Sequence, residues 1–422
     1  YRPITLCSSI SKVFEIIVNK QLVDYLARNN FLSKNQHGFS KGKSVDTALN
    51  NFINEIVLAL DKNEVALGLF IDYSKAFDCV NRDILVNKLE NYGIRGKSLE
   101  WFKSYLSDRH QHVAIGETKS APKKVNRGVP QGSILGPTLF LVYVNDLFSF
   151  IEHADCCTVG YADDLNVLIK ATTLEIAKNI AKDIFLKIKS RSLRNDLVIN
   201  MDKLACVVFK NQSTNVVTGD NLVLDADTVL SCVDRSKMLG LTIDKGLKWS
   251  YHIDDICSKL TKTCFALSIA AKQCSVSIVR QLYFGCFHSI IRYAICHWGA
   301  ATDSHKVFLI QKRAVRMMAK LKFSDSCRKA FCELGILTVP SIYIYELVSM
   351  VYKNLSDFTI NRANYQYHTR HKNVTLLPHK HSTSMYQKAG FYNGCKFFNA
   401  LPVDIRINTN LRVFKLNVKK LS

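Results

Sequence analysis

Residues 158–169 read Thr158-Val159-Gly160-Tyr161-Ala162-Asp163-Asp164-Leu165-Asn166-Val167-Leu168-Ile169, with strand-forming residues on both sides of two adjacent aspartates. Side chains alternate along a strand, so neighbouring carboxylates inside a buried sheet would push one charge into the core. The conflict disappears if the pair occupies a hairpin tip. The flanking runs then pair as antiparallel strands, and the acids sit in a turn, which tolerates Asp better than a strand does. A second acid follows the continuous apolar run 65–71 (VALGLFI), which suits a strand covered on both faces. If that strand lies beside the hairpin, Asp72, Asp163 and Asp164 converge at one end of a sheet.

Converging carboxylates repel one another, so a cation should hold them together. Hard divalent ions prefer oxygen ligands, and Mg²⁺ takes one or two carboxylates together with substrate phosphates. Two such ions stabilise the attacking and the leaving oxygen of an in-line phosphoryl displacement. An Asp-Asp turn alone is also common on ordinary protein surfaces, so the pair needs its surroundings to decide.

The chain has 422 residues, is 48% hydrophobic and has a mean hydropathy of +0.01, the composition of a folded protein with room for two or three domains. Its net charge of +22, from 57 basic and 35 acidic residues, points to a polyanionic partner. Nucleic acid ranks first and an anionic membrane second, with simple solubility as the bland alternative. Residues 301–422 hold 20 Lys/Arg against 6 Asp/Glu, so the charge is concentrated there. The 14 cysteines include no C-x-x-C pair, and no signal peptide or membrane-length apolar run is present. The expectation is a reduced protein of the cytosol or nucleus, with no membrane partner. The sequence starts at Tyr1 inside an apparent motif, which suggests a fragment of something longer.

Helical spacing of Val13, Ile16, Ile17 and Leu22 predicts a helix over 13–28. Asn81 is placed to cap a helix carrying Ile84, Leu85, Lys88 and Leu89, with Gly93 as its stop. Residues 137–148 (PTLFLVYVNDLF) form a helix with Pro in its first turn. Residues 197–209 and 237–244 each read as strand, turn, strand, and beyond residue 250 the pattern is mostly helical. The segment 308–321 puts Lys312, Arg316 and Lys320 on one stripe, with Leu309, Val315 and Met318 away from it.

"YADD" with "FIDYSKAFD" upstream resembles the palm of reverse transcriptases, and in particular those of non-LTR (LINE-type) retrotransposons of the jockey-like group. The likeness includes YRPITL (1–6), NQHGFSKGKS (35–44), RGVPQGSILGPTLF (127–140), LVINMDK (197–203), LGLTID with WSYHI (239–253), ELGILTVP (333–340) and FFNALP (397–402). It implies an α+β right-hand polymerase with fingers, palm and thumb. An antiparallel palm sheet flanked by helices would precede a helical thumb and a C-terminal extension. Partial fingers would span 1–64, the palm 65–245, the thumb 246–335 and a basic extension 336–422.

The resemblance also implies roles. Asp72, Asp163 and Asp164 would hold two Mg²⁺ ions, with Mn²⁺ able to substitute, and Lys203 would protonate the leaving pyrophosphate. The family usually follows that lysine with Thr, whereas Leu204 stands here, which puts the positioning of Lys203 in question. Arg2 would grip the incoming triphosphate, Phe77 would exclude a 2′-hydroxyl, and Gln131 and Gly132 would lie beside the nucleotide, where glycines at 128 and 132 let the backbone approach closely. Lys41 and Lys43 would face the template. Leu239 and Gly240 would form the primer-grip turn, and Lys312, Arg313, Arg316 and Lys320 would line the duplex backbone. Each role has an ordinary counterpart: a core Phe, a frayed terminus, a glycine loop, a solvated helix face.

Asp78, six residues past Asp72, reads as structural. GFSKGKS is not a Walker loop, because only three residues separate Gly38 from Gly42. The histidines at 368, 371, 379 and 381 lack a zinc-ligand spacing and read as part of a basic loop. The expected partners are an RNA template, a DNA primer or target DNA, and dNTPs. Two competing readings are a catalytically inactive or domesticated remnant that only binds nucleic acid, and an RNA-dependent RNA polymerase with a Gly-Asp-Asp turn. Ala162, the bulky Phe77 and the C-terminal match argue against the latter.

Overall fold

A four-stranded antiparallel sheet organises the first half of the chain, in the order β6-β7-β1-β8: β1 (Val65–Ile71), β6 (Cys156–Tyr161), β7 (Asp164–Ala171) and β8 (Ala205–Phe209). The computed structural model describes residues 5, 7–211, 221–360, 375–378 and 380–421. Among them the chain divides into two units: Tyr1–Ala59 with Asn63–Leu239, and Leu60–Lys62 with Gly240–Ser422. The division falls at the Leu239–Gly240 turn, ahead of the change in sequence texture near residue 250.

The central strands are apolar because both faces are covered. Leu67, Leu69 and Ile71 of β1 join Leu165, Val167 and Ile169 of β7 in a core shared with α6 (Leu135–Phe150) and α7 (Leu174–Arg194). On the opposite face, Phe70 meets Phe52 of α2 (Val45–Asp61) with ring centroids 5.6 Å apart. Helix α6 is buried along nearly its whole length, as expected for a helix apolar on every side. Its first backbone N–H groups have no intrahelical partner. Glu15, only 2% exposed on α1 (Ser9–Arg28), supplies one, its Oε2 accepting from Ile134 N at 2.6 Å and Leu135 N at 3.3 Å.

Asn81 caps as its position predicts, accepting from Asp83 N at 3.0 Å and Ile84 N at 3.4 Å at the start of α4 (Arg82–Asn91); the one-turn α3 (Ala76–Cys79) precedes it and α5 (Lys97–Leu106) follows. Gly93, at φ 87°, ends the segment. Lys88 points inward and donates to Asp146 of α6 at 2.9 Å, a carboxylate that Arg191 of α7 also reaches. Burial lowers the Lys88 pKa, and Asp146 opposes that shift.

Two expectations need correction. Residues 197–204 do not form a strand: Ile199 makes a single bridge to Tyr73, and regular pairing starts at Ala205. Lys320 is not on the helical stripe, because the helix Ser304–Met318 ends before it and Lys320 turns left-handed at φ 55°. The buried face of that helix is Val307, Gln311, Ala314, Val315 and Met318, while Leu309 is 58% exposed. Gln311 belongs inside because its amide is fully used: Nε2 donates to Tyr283 Oη and Leu337 O at 2.9 Å each, and Oε1 accepts from Val339 N at 2.9 Å.

The second unit is helical, as expected. After the strand Leu241–Asp244, α8 (Ser250–Gln273) packs on the helix Ser304–Met318, while Val339–Lys353 packs on Gly390–Ala400 and Leu411–Leu421. Buried Asp244 shapes its entry by accepting from Gly246, Lys248 and Trp249 N–H groups at 2.8–3.1 Å. Among the described residues, no helix is long and apolar enough to cross a membrane.

Asn81→Ala removes the cap and the bond from Asn81 Nδ2 to Asp196 (2.8 Å). We expect a loss of about 1–2 kcal/mol in urea unfolding at an unchanged m-value. A change near zero would show that the cap contributes nothing.

Candidate active site

Tyr161 pairs with Asp164, so Ala162 and Asp163 alone form the turn between β6 and β7. The hairpin predicted for the acidic pair is therefore present, and the acids lie at its tip. Ile71 pairs with Leu165. Asp72 directly follows Ile71 and Asp164 directly precedes Leu165, so both stand at the same end of these paired strands, with Asp163 one residue beyond. All three acids thus share one end of the sheet.

Asp72 Oδ2 accepts from Lys203 Nζ at 2.7 Å, although the lysine side chain is 64% exposed. The backbone fixes this meeting: Asn200 N donates to Asp72 O at 2.8 Å, and Leu204 N closes a turn onto Asn200 O at 3.1 Å. Lys203 therefore reaches the acidic edge with Leu204 in place.

No three His, Cys, Asp or Glu side chains among the described residues stand close enough to cage a metal by themselves. The donor set nevertheless suits a hard cation such as Mg²⁺, which takes only one or two carboxylates and completes its shell with phosphate and water.

The turn is held by a residue that sequence reasoning did not single out. Gln36 is 2% exposed; its Oε1 accepts from Ala162 N at 3.1 Å and Gly38 N at 2.9 Å, and its Nε2 donates to Ala162 O at 3.4 Å. His37 N donates to Gly160 O at 2.7 Å, and Gly160 N donates to Asn35 O at 2.9 Å. Ala162 needs this grip because its φ of 56° is a conformation normally left to glycine. Gly38 must be glycine, since a Cβ there would overlap the Ala162 amide. Only the buried glutamine before a glycine could have hinted at this, and its partner is 126 residues away.

The same segment corrects the picture of its lysines. Lys43 donates to Gln36 O at 3.1 Å and also to Lys34 O, so its ammonium braces its own loop, with burial and Lys34 lowering its pKa. Lys41 is exposed.

A second cluster forms around Phe77. Its ring stacks on Phe140, with centroids 4.3 Å apart. Val129 N donates to Phe77 O at 3.0 Å and Gly128 N to Val80 O at 2.8 Å, while Gln131 Nε2 donates to Asp78 Oδ1 at 2.7 Å. Phe77, Gln131 and Gly132 are thereby brought to one place, and Asp78 holds Gln131 as a structural residue should. Gly128, at φ 83°, is required by packing: a Cβ there would press on Asp78.

Arg2 lies outside the described residues, as do His368, His371 and His379; His381 stacks on Tyr386. In the second unit, Lys312 lies over the Phe308 ring at 4.3 Å, and Arg316 donates to Asp325 O at 2.8 Å, whereas Arg313 and Lys320 are exposed.

Gln36→Leu keeps the shape of the side chain and removes its two bonds to Ala162 and the one from Gly38 N. Two N–H groups lose their acceptor at about 1–3 kcal/mol each, so we expect urea unfolding to show a loss of about 2 kcal/mol or more. Unchanged stability would mean that the turn needs no clamp.

Burial, then Lys43, pulls the His37 pKa from 6.5 to about 4. Its stabilising effect is therefore full above pH 6.5 and is lost as pH falls toward 4. Tm measured from pH 7 to 4.5 should drop less steeply in His37→Asn than in the wild type, and identical slopes would contradict this.

The model of the family described as "Reverse transcriptase (RNA-dependent DNA polymerase)" matches residues 1–243. Two relatives come from Drosophila melanogaster. The probable RNA-directed DNA polymerase from transposon BS is 28% identical over 75% of this chain and 36% of that protein. The RNA-directed DNA polymerase from mobile element jockey is 28% identical over 76% of this chain and 35% of that protein. The chain thus spans about a third of the length of these relatives. Among solved structures, telomerase from Candida albicans in complex with a fragment of telomeric RNA covers 82% of this chain and 57% of its own, at 14% identity and a TM-score of 0.40. With the family model matching more than half of its residues, this chain belongs to the reverse transcriptase family.

Proposed function

We propose that this chain is the polymerase portion of a non-LTR retrotransposon reverse transcriptase. It extends a DNA primer 3′-hydroxyl with dNTPs on an RNA template. What supports this reading is that Asp72 and Asp164 flank the last pair of β1 and β7, Ile71 with Leu165, with Asp163 in the adjoining turn, within a chain of this family. Residues 1–64 would serve as partial fingers, 65–245 as palm, 246–335 as thumb and 336–422 as a basic extension.

Asp72, Asp163 and Asp164 would hold two Mg²⁺ ions, which stabilise the attacking and leaving oxygens of phosphoryl transfer. The protein's own contribution is placement and charge. Gln36 keeps the turn in one conformation, so the two acids need not reorganise as substrate arrives. Lys203 stands against Asp72 and would pass its proton toward the departing pyrophosphate. Gln131, held by Asp78, would lie beside the incoming nucleotide, and Phe77, backed by Phe140, would press against its sugar. Leu239 and Gly240, at φ 49° and 87°, would support the primer end. The cationic groups of Lys41, Lys312, Arg313, Arg316 and Lys320 would face the nucleic-acid backbone.

Purified protein with oligo(dT) on poly(A), dTTP and Mg²⁺ tests the reading. The wild type should extend the primer, and Asp163→Asn and Asp164→Asn should each lose about 10²-fold or more in rate. Extension absent from the wild type would favour a protein that only binds nucleic acid.

Phe77→Ala should raise ribonucleotide incorporation relative to deoxynucleotide incorporation in the same preparation. That ratio is insensitive to a general loss of folding. An unchanged ratio would reject the gate.

A further inference from the structure

Between α5 and the Gly128–Gly132 loop the chain leaves the body of the first unit as a narrow ribbon. Strands β2 (Arg109–Gln111) and β5 (Lys123–Val125) pair at its root, and β3 (Ala114–Ile115) and β4 (Thr118–Lys119) pair at its tip. Every residue from 110 to 124 is exposed, so neither face rests on a core. A two-stranded hairpin without a buried face is marginal in water, and this one is secured only at its root. There the Arg82 guanidinium donates to Val125 O at 2.5 Å, Gly128 O at 3.1 Å and Arg127 O at 3.1 Å. Arg109 donates to Tyr105 O at 3.3 Å, with its guanidinium 5.5 Å from the Tyr105 ring, which in turn stacks on Trp101.

The ribbon's charge names its partner. Residues 109–127 carry Arg109, Lys119, Lys123, Lys124 and Arg127 against Glu117 alone. His110 pairs with Lys124 and Ala114 with Lys119. Paired residues share a face, so His110 lies beside Lys124 at the root and Lys119 beside Ala114 at the tip, and both ends of the ribbon present a cation. Lysines along exposed strand edges discourage addition of another polypeptide strand, whereas they suit a row of phosphates.

We propose that residues 109–125 form an arm that grips the phosphate backbone of the template–primer duplex. Arg82 ties this arm to the loop that carries Gln131. The proposal rests on the polymerase reading for the identity of the duplex.

Lys119→Gln/Lys123→Gln/Lys124→Gln alters only exposed side chains, and Lys12→Gln/Lys97→Gln/Lys182→Gln removes the same charge elsewhere on the first unit's surface. Affinity of the full chain for a short RNA–DNA hybrid is measured across salt concentrations. Each lost phosphate contact lowers the log–log slope by about 0.7–0.9, so the arm variant should lose about 2–3 in slope while the control stays near wild type. An arm variant with the wild-type slope, or a control that loses as much, would overturn the arm, as expected if the ribbon meets a protein instead. Primer extension by the wild type reports separately on the polymerase reading: binding through the arm without extension would sink that reading and leave the arm standing.

Discussion

The Gln36 amide around Ala162 is the contact on which the rest of the site depends. A two-residue turn with Asp163 in it and Asp164 beside it has little of its own to fix it, and Ala162 sits at φ 56° without glycine's freedom. Strain of about 1–3 kcal/mol of this kind persists only where the surroundings over-determine it. Here one buried side chain satisfies both the N–H and the C=O of the strained residue, and the Asn35–His37 backbone is laced to Gly160. The consequence is mechanical: the acids are carried by the sheet itself, and their repulsion cannot be relieved by turning the hairpin away.

The same economy recurs around the acidic edge. Loops near this edge are each held by a side chain or backbone group distant in sequence. Asp78 holds Gln131, the Asp72 carbonyl receives Asn200 N, and Arg82 gathers the carbonyls of 125, 127 and 128. None of these braces needs to touch substrate, yet each sets where a neighbouring residue stands. Such positioning within fractions of an ångström is where catalytic rate is most easily lost.

Much of this was legible in local pattern. The continuous apolar run before Asp72, the alternating runs around Asp163–Asp164 and the Asn81 cap are short-range signals, and each was borne out by β1, the β6–β7 hairpin and α4. What local pattern missed depends on distant partners. Residues 197–204 look strand-like but serve as a connection that meets the segment just past β1, Asn200 N donating to Asp72 O and Val198 O accepting from Ser74 N. Lys320 continues an i, i+4 spacing that the helix does not follow to its end. Lys43 donates to carbonyls of its own loop, and Gln36 and Glu15 look like surface residues until their buried partners are seen.

Metal binding at the strand ends is the claim to test most directly. Mn²⁺ titration followed by electron paramagnetic resonance, with primer–template and dNTP present, counts the ions held by the full chain. The account predicts two bound Mn²⁺ per wild-type molecule, with both lost or greatly weakened in Asp72→Asn/Asp163→Asn/Asp164→Asn. Equal stoichiometry and affinity in the variant would contradict it.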